Sequence, residues 1–570
     1  MKPILGIDLG TTKCVACVCL GNEFVEIPPV SGRFGGMTIL PSVFFQPSSG
    51  GPVVGEDALS EAGFDPQFRG QVIRNVKRSM KHNFPEGIKP AKKFRSGNRD
   101  FTPAEISSHF LRVLREAAQR ETDRLKARPS ASGLAWNNWL DEVVITVPAY
   151  FSPVERRATR EAARLAGFPE AGVHLLDEPV AAALSERIHE QTQQARILVV
   201  DLGGGTCDLT LLETGAGGFR ELGRFGDNDF GGLEWDLEIA ELALRKHPLP
   251  SVRHLYGPDG TPDYCRFAHL FAESEEAKKR FGAPESRRFT EFTVQVANPD
   301  RPQLDSLGEP VPIGRKEFDE LSHRLAEYCG HLADRLIESI KPSELNHKQK
   351  QAATWADVDT VLLVGGGSQL GAVRETLQRR LKKPPTIPAG AQLAIARGAA
   401  MYGQILSRGI NLEGISHPRC PLDFGIMVTP KPEGIMSKVL GRIFGRGAKL
   451  PRQNGSAEHL PALKFRALID RNTQLPFDYR AQFPLDSSDS ERMLLEVCFR
   501  QYTRQKPSGF IRRLHLLEFG FQRSANPARD RLVVSMRFDE NYKLHVTAQC
   551  GGKSVTIKKD MDDLEGGERV

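Results

Sequence analysis

The chain has 570 residues, 40% of them hydrophobic and 26% charged, with a formal net charge of +6. That length exceeds a single core and fits two to four domains of roughly 100–200 residues. No uninterrupted apolar run reaches the ~18–20 residues that span a bilayer, and the basic residues are spread along the chain, which argues against a membrane-embedded bundle and against nucleic acid as a partner.

The first element is the apolar run ILGIDLGTT, Ile4 to Thr12, which reads as a buried strand ending in an acid, a glycine and two hydroxyls. Asp8 interrupts what would otherwise resemble a signal peptide, and the next segment reads as a hairpin partner. Its Cys14, Cys17 and Cys19 include a CxxC, but no second pair or histidine cluster completes a metal site, so they read as small strand residues. With nine cysteines in all, an odd number, the chain fits reduced thiols and a cytoplasmic location. EVVITV, Glu142 to Val147, reads as a buried strand. Glu155 to Gly167 reads as a helix with Ala158, Ala162 and Leu165 at helical spacing and a glycine stop.

ILVVDLGGGT, Ile197 to Thr206, repeats the opening device with Asp201 in the place of Asp8. Val358 to Val364 (VDTVLLV) then runs into Gly365, Gly366 and Gly367 before a helix beginning near Leu370. Up to about residue 405 this alternation predicts an α/β architecture with duplicated lobes. Ser407 to Arg419 is polar and glycine-containing, and a linker is expected over 406–421.

From 422 to 560 short alternating strands predict a β-sandwich, with a tail over 561–570. Its clearest hairpin pairs Arg531 to Phe538 with Tyr542 to Gln549 through a turn at Asp539 to Asn541. An insertion near 430–461 holds Ile435, Met436, Val439, Leu440, Ile443 and Phe444 on one helical face, with Lys438 and Arg442 opposite. Such a stretch suits a membrane surface or a partner groove; a helix covering an edge of its own β-domain is the blander reading and is preferred.

The repeated device has a physical purpose. A strand delivers the chain to a tight turn whose glycines lack a Cβ, so a phosphate can approach the backbone N–H groups. The hydroxyls of Thr11, Thr12 and Thr206 add donors. Asp8 and Asp201 would repel phosphate directly but can hold a hydrated Mg²⁺ that bridges it. Two such loops, together with the glycines at 365–367, predict two lobes closing on one nucleotide. A P-loop is excluded: Gly552-Lys553-Ser554 mimics its end, but Thr547 stands where its first glycine is required.

These segments, with VVITVPAYFSPVERRATREAARLAGF, LLDEPVAAAL and VLLVGGGSQL, resemble the nucleotide-binding domain of the heat-shock protein 70 (DnaK-like) chaperones, within the actin and sugar-kinase superfamily. Order and spacing are similar over nearly the first 405 residues. LIDRNTQLP (Leu468 to Pro476) and the LHVTA hairpin resemble, more loosely, that family's substrate-binding β-sandwich. Together they cover about nine tenths of the chain.

The resemblance implies an actin-like ATPase domain over 1–405, a peptide-binding β-sandwich over 422–560, and an ATP-dependent chaperone that holds extended or unfolded apolar polypeptide. It implies ATP or ADP and Mg²⁺ as ligands, and a J-domain co-chaperone and a nucleotide exchange factor as partners. Asp8 and Asp201 would hold magnesium through water, and Gly10, Thr11, Thr12, Gly203, Gly204, Gly205 and Thr206 would cradle phosphates. Lys77 corresponds to the family's catalytic lysine and Glu178 to the carboxylate that positions the magnesium shell or the attacking water. Asp201 and Thr206 also count as catalytic, and Asp208 supports the loop. Gly231, Gly232, Glu275, Lys278, Gly365 and Gly366 would form the adenosine side. Without the resemblance, Glu275 and Lys278 read as an i,i+3 ion pair on a helix surface.

The sequence also departs from the family. Gln369 replaces an arginine expected near the adenine ring, Gln392 replaces an acid, and Lys13 stands where an aromatic or asparagine is usual. Ile410, Leu412 and Ile415 are a poor substitute for the acid-flanked leucine linker. The sequence ends about ten residues after Lys559, where a helical lid would begin, so a lidless and faster-releasing β-domain is expected. The alternative reading is a nucleotide-gated module that recruits one specific protein partner or a membrane surface, the membrane being the weaker choice.

Overall fold

The computed structural model describes residues 1–29, 38–64, 72–82, 92–149, 151, 153–190, 193–215, 218–247, 252–256, 262–264, 266–283, 286, 288–296, 309–340, 353–409, 423–428, 464–469, 477–484, 492–503, 506–520, 531–538, 543–550, 553–560 and 568–569. The linker from 410 onward, the 430–461 insertion with its basic stretch at 435–444, and the turn at 539–541 lie outside the described residues. The chain divides into two compact units, Met1–Ile415 and Ser416–Val570.

In the first unit, β1 (Leu5–Leu9) is buried along its whole length. It pairs antiparallel with β2 (Lys13–Leu20), which continues antiparallel to β3 (Glu23–Ile27). Helix α1 (Pro103–Lys126) follows, started by a capping box between Thr102 and Glu105. On the other side of β1, β4 (Val143–Val147) and β5 (Val173–Asp177) are added in parallel, giving the order β5-β4-β1-β2-β3. Parallel strands need a crossover; α2 (Pro153–Leu165) supplies it between β4 and β5, and α3 (Glu178–Ser185) follows directly.

The second sheet repeats this plan. β6 (Arg196–Leu202) pairs antiparallel with β7 (Cys207–Gly215), and β7 with β8 (Gly218–Asp227). After helices α4 (Gly232–Lys246), α5 (Ala268–Gly282) and α6 (Arg315–Ser339), strand β9 (Thr360–Val364) adds in parallel to β6. A parallel bridge from Leu362 to Thr386 marks the fifth position of the same pattern. Helices α7 (Gly371–Leu381) and α8 (Ala394–Ser407) complete the unit.

Alternation along the strands divides the core between two layers. Leu5, Ile7, Cys14, Ala16, Val143 and Ile145 join α1 and α2 in one cluster. Val15, Cys17 and Val144 turn to the other face. There they meet α3, α8 and side chains of the second sheet, among them Ile197, Val199, Leu362 and Val364. The two sheets therefore share a layer built from α3 and α8. Small residues permit it: a Cβ on Gly6 of β1 would lie 2.2 Å from the Ala400 backbone nitrogen of α8.

The second unit has two antiparallel sheets. β10 (Asp423–Val428), β11 (Lys464–Ile469), β13 (Arg492–Thr503), β14 (Lys506–Gly520) and β18 (Glu568–Arg569) form one, in the order β11-β10-β13-β14-β18. β12 (Phe477–Pro484), β15 (Arg531–Phe538), β16 (Lys543–Cys550) and β17 (Lys553–Asp560) form the other, in that order. Leu532, Val534, Met536 and Phe538 alternate inward, facing Ala548, Val546 and Leu544 in register. They share one apolar cluster with Leu468, Leu495 and Phe499 of the first sheet.

Candidate functional site

Both acid-terminated strands end at one cavity of about 590 Å³ within the first unit, a size usual for cofactor sites. Asp8, Gly10, Thr11 and Thr12 line it from the end of β1. Asp201, Gly203, Gly204 and Thr206 line it from β6, and Lys77, Glu178, Gly232, Glu275, Lys278, Gly365 and Gly366 complete the wall. Gly205 and Gly231 are absent from that lining.

The two loops touch. A Cβ on Gly204 would fall 2.5 Å from Thr12 Cγ2, and one on Gly205 would fall 2.6 Å from Thr11 Cγ2. Glycine is therefore required where the second turn meets the threonines of the first. The first turn of α4 pins the second loop from behind, because Gly232 and Leu233 amides donate to the carbonyls of Gly203 and Gly204 at 2.9 and 2.8 Å. Gly365, at φ 77, occupies a backbone region that other residues rarely adopt, and a Cβ there would lie 2.5 Å from Asp201 Oδ1.

Lys77 arrives from a different element, the 3-10 helix Val76–His82. Asn75, in the left-handed region at φ 57, turns the chain into it; asparagine tolerates that conformation better than most residues. The Lys77 ammonium is buried and ion-paired with Glu178, the first residue of α3. Arg78, next in sequence, donates from Nη2 to the Gly205 carbonyl at 2.7 Å and to Glu234 Oε2 at 2.9 Å. Glu234 in turn accepts the Gly231 amide at 2.6 Å. One short helix thus ties together the lysine, the second glycine loop and the start of α4.

The acids crowd. Asp201 and Asp208 face one another across β6 and β7, where like charges are unfavourable. Burial, followed by the Glu178 charge, pushes Asp8 up to about 7 and does the same to Asp208. Asp201 is driven well above the carboxylate range by burial and then by Glu178, Asp208 and Asp8. Burial alone would lower Lys77, but Glu178 and Asp8 outweigh it and hold the ammonium above its ordinary value.

Asp208 Oδ1 accepts the Ala149 amide at 3.0 Å, while its Oδ2 is buried without a hydrogen-bond partner among the described residues. Such a set of carboxylates is short of positive charge, which suits a divalent cation. Among the described residues no three acidic, histidine or cysteine side chains converge closely enough to ligate a metal directly. Cys14, Cys17 and Cys19 are buried strand residues with free thiols.

The wall formed by α4 and α5 pairs differently from an i,i+3 surface pattern. Lys278 donates to Asp236 Oδ2 at 2.8 Å and to the Gly232 carbonyl at 3.1 Å, and Glu275 pairs with Lys279 at 2.9 Å. Arg78, Glu234 and Asp236 were not singled out by the sequence reading. Their signal was present as an arginine beside Lys77 and as acids three and five residues beyond Gly231. Three of the departures from the family, Gln369, Gln392 and Lys13, line the cavity.

The family model described as Hsp70 protein matches residues 4–430. A chaperone protein DnaK from Mycoplasma mobile (strain ATCC 43663 / 163K / NCTC 11711) is 31% identical over 412 residues, which is 72% of this chain. The match spans 59% of that relative's length.

Proposed function

This chain belongs to the Hsp70 family, and from that membership we propose that it binds ATP and ADP with Mg²⁺ in the cavity between its two sheets, hydrolyses ATP, and works as an ATP-dependent chaperone. The observation that carries this reading is the meeting of the twin loops: Thr11 and Thr12 lie against Gly205 and Gly204, with Asp8 and Asp201 on the same cavity.

In this reading Gly10, Thr11, Thr12 and residues 203–206 cradle the phosphates with backbone amides and hydroxyls. Asp8, Asp201 and Glu178 hold the metal through its waters, as suits an ion that keeps its hydration shell. Mg²⁺, when bound, supplies positive charge that offsets the negative charge of the transferring phosphoryl group. Lys77, fixed on Glu178, presents its ammonium to the terminal phosphate and orients water. Thr206 adds a donor, Gly232, Glu275, Lys278, Gly365 and Gly366 shape the adenosine side, and Gly231 backs the phosphate loop at Gly205 and Thr206. Catalysis of this kind is positioning and electrostatics, with no covalent intermediate to provide for.

Residues 1–405 then serve as an actin-like ATPase domain, 406–421 as the linker, 422–560 as a β-sandwich that grips extended apolar polypeptide, and 561–570 as a tail whose Glu568–Arg569 joins the sheet beside β14. A J-domain co-chaperone and a nucleotide exchange factor are the partners this reading carries with it.

ATP turnover tests the proposal, measured with and without an unfolded polypeptide for the unsubstituted chain, Thr206→Ala and Lys77→Ala. Turnover that rises with the polypeptide and falls about a hundredfold in both variants, with folding retained, is the expected result. Equal turnover in all three proteins would overturn the site. The altered linker sequence, Ile410 to Ile415, favours a second reading, a nucleotide-gated module for one specific partner. MgATP binding without any response to unfolded polypeptide would select it.

A further inference from the structure

We propose that Lys13 is a second phosphate-binding cation of this cleft, held on Gln392 when no phosphate is present; the inference rests on the nucleotide site proposed above. Lys13 directly follows Thr12 and opens β2, so its side chain springs from the turn assigned to the phosphates, and it lines the cavity.

The partners of the cavity's lysines set it apart. Lys77 is paired with Glu178, Lys278 with Asp236 and Lys279 with Glu275. Lys13 instead donates to a neutral acceptor, Gln392 Oε1, at 2.6 Å, across 379 residues of sequence. Among the described residues it is the one lysine of this cavity with no carboxylate in ion-pair contact. An amide is a weaker anchor for an ammonium than a carboxylate. Exchanging it for a phosphate oxygen therefore leaves no buried carboxylate stranded, as withdrawing Lys77 or Lys278 would.

The surroundings favour such an exchange. Burial pushes the Lys13 ammonium down to about 8, against the attraction of Asp8, Asp201 and Glu275 and with the help of Lys279. A desolvated cation with no counter-ion in contact gains more from an arriving anion than one already paired or in water. Gln369 and Gln392 are both neutral at positions lining this cavity, so neither supplies Lys13 with a counter-ion.

Calorimetric titration of the full chain with adenosine, ADP and ATP at fixed Mg²⁺ tests this, using Lys13→Gln and Lys13→Arg. The glutamine removes the charge and keeps an amide donor on a side chain one bond shorter. Expected is a loss of about tenfold or more in ADP and ATP affinity for Lys13→Gln, with adenosine unchanged and with Lys13→Arg retaining most of the affinity. Unchanged ATP affinity in Lys13→Gln overturns the proposal alone, and so does an equal loss for adenosine, which would mean the side chain shapes the cavity rather than reading phosphate. If the unsubstituted chain binds none of the three, the nucleotide site itself fails and this proposal with it.

Discussion

Asp8 carries an electrostatic cost in the folded chain. Burial and Glu178 raise it from 3.8 to about 7. Between roughly pH 4 and pH 7 the folded chain therefore keeps a proton that the unfolded chain has released, and folding stability falls as pH rises through that window. Asp8→Asn removes this cost. In magnesium-free and nucleotide-free protein it is expected to raise stability at pH 8 by about 2–4 kcal/mol and to change little near pH 4. Thermal unfolding at the two pH values checks this, and a variant less stable than the parent at pH 8 would contradict it. Gly231 is the opposite kind of residue, one that cannot change. An added Cβ would lie 2.8 Å from the backbone of Gly205 and Thr206, so Gly231→Ala is expected to displace the loop and weaken ATP binding at least tenfold, read by titration.

At the scale of elements, the 3-10 helix at Val76–His82 matters more than its length suggests. Through Arg78 it holds the Gly205 carbonyl and the Glu234 carboxylate, and Glu234 is largely buried. Arg78→Gln leaves that carboxylate without its cation, which typically costs about 3–5 kcal/mol when the pair is buried. The loss is expected to appear as both a lower unfolding temperature and weaker nucleotide binding. Thr102→Ala is the control. It removes the N-cap hydroxyl of α1, which is not part of the cavity lining, and is expected to cost about 1 kcal/mol with ATP affinity unaltered. Equal effects of the two substitutions on affinity would show that Arg78 has no special hold on the loop.

On the scale of the molecule, both apolar clusters that flank the first sheet are built from residues of the first unit alone. The cavity lining also comes only from that unit. Residues 1–409 by themselves are therefore expected to fold and to bind ATP with the affinity of the full chain. If the second unit grips polypeptide under nucleotide control, unfolded polypeptide must shift ATP affinity in the full chain, because coupling between binding sites is reciprocal. It must not do so in 1–409. Titration with both proteins decides the matter, and a null shift in the full chain would sever the two units functionally.

Much of this was legible before any coordinates. Strand period, helix spacing and glycine-rich turns are set by contacts over a few residues, so the sequence alone carried β1 and β6, their acids, and the loops at Gly10–Thr12 and Gly203–Thr206. The same local grammar revealed the duplication. Which groups pair was not legible, because those choices join residues far apart in the chain. Lys77 meets Glu178 across 101 residues and Arg78 meets Glu234 across 156. Lys278 takes Asp236 rather than a neighbour on its own helix, and Lys13 finds an amide where a carboxylate would have been easy to imagine. Local chemistry determined what could bind a phosphate; only the folding of two sheets onto the layer of α3 and α8 decided which charges were already spent on one another and which was left for a ligand.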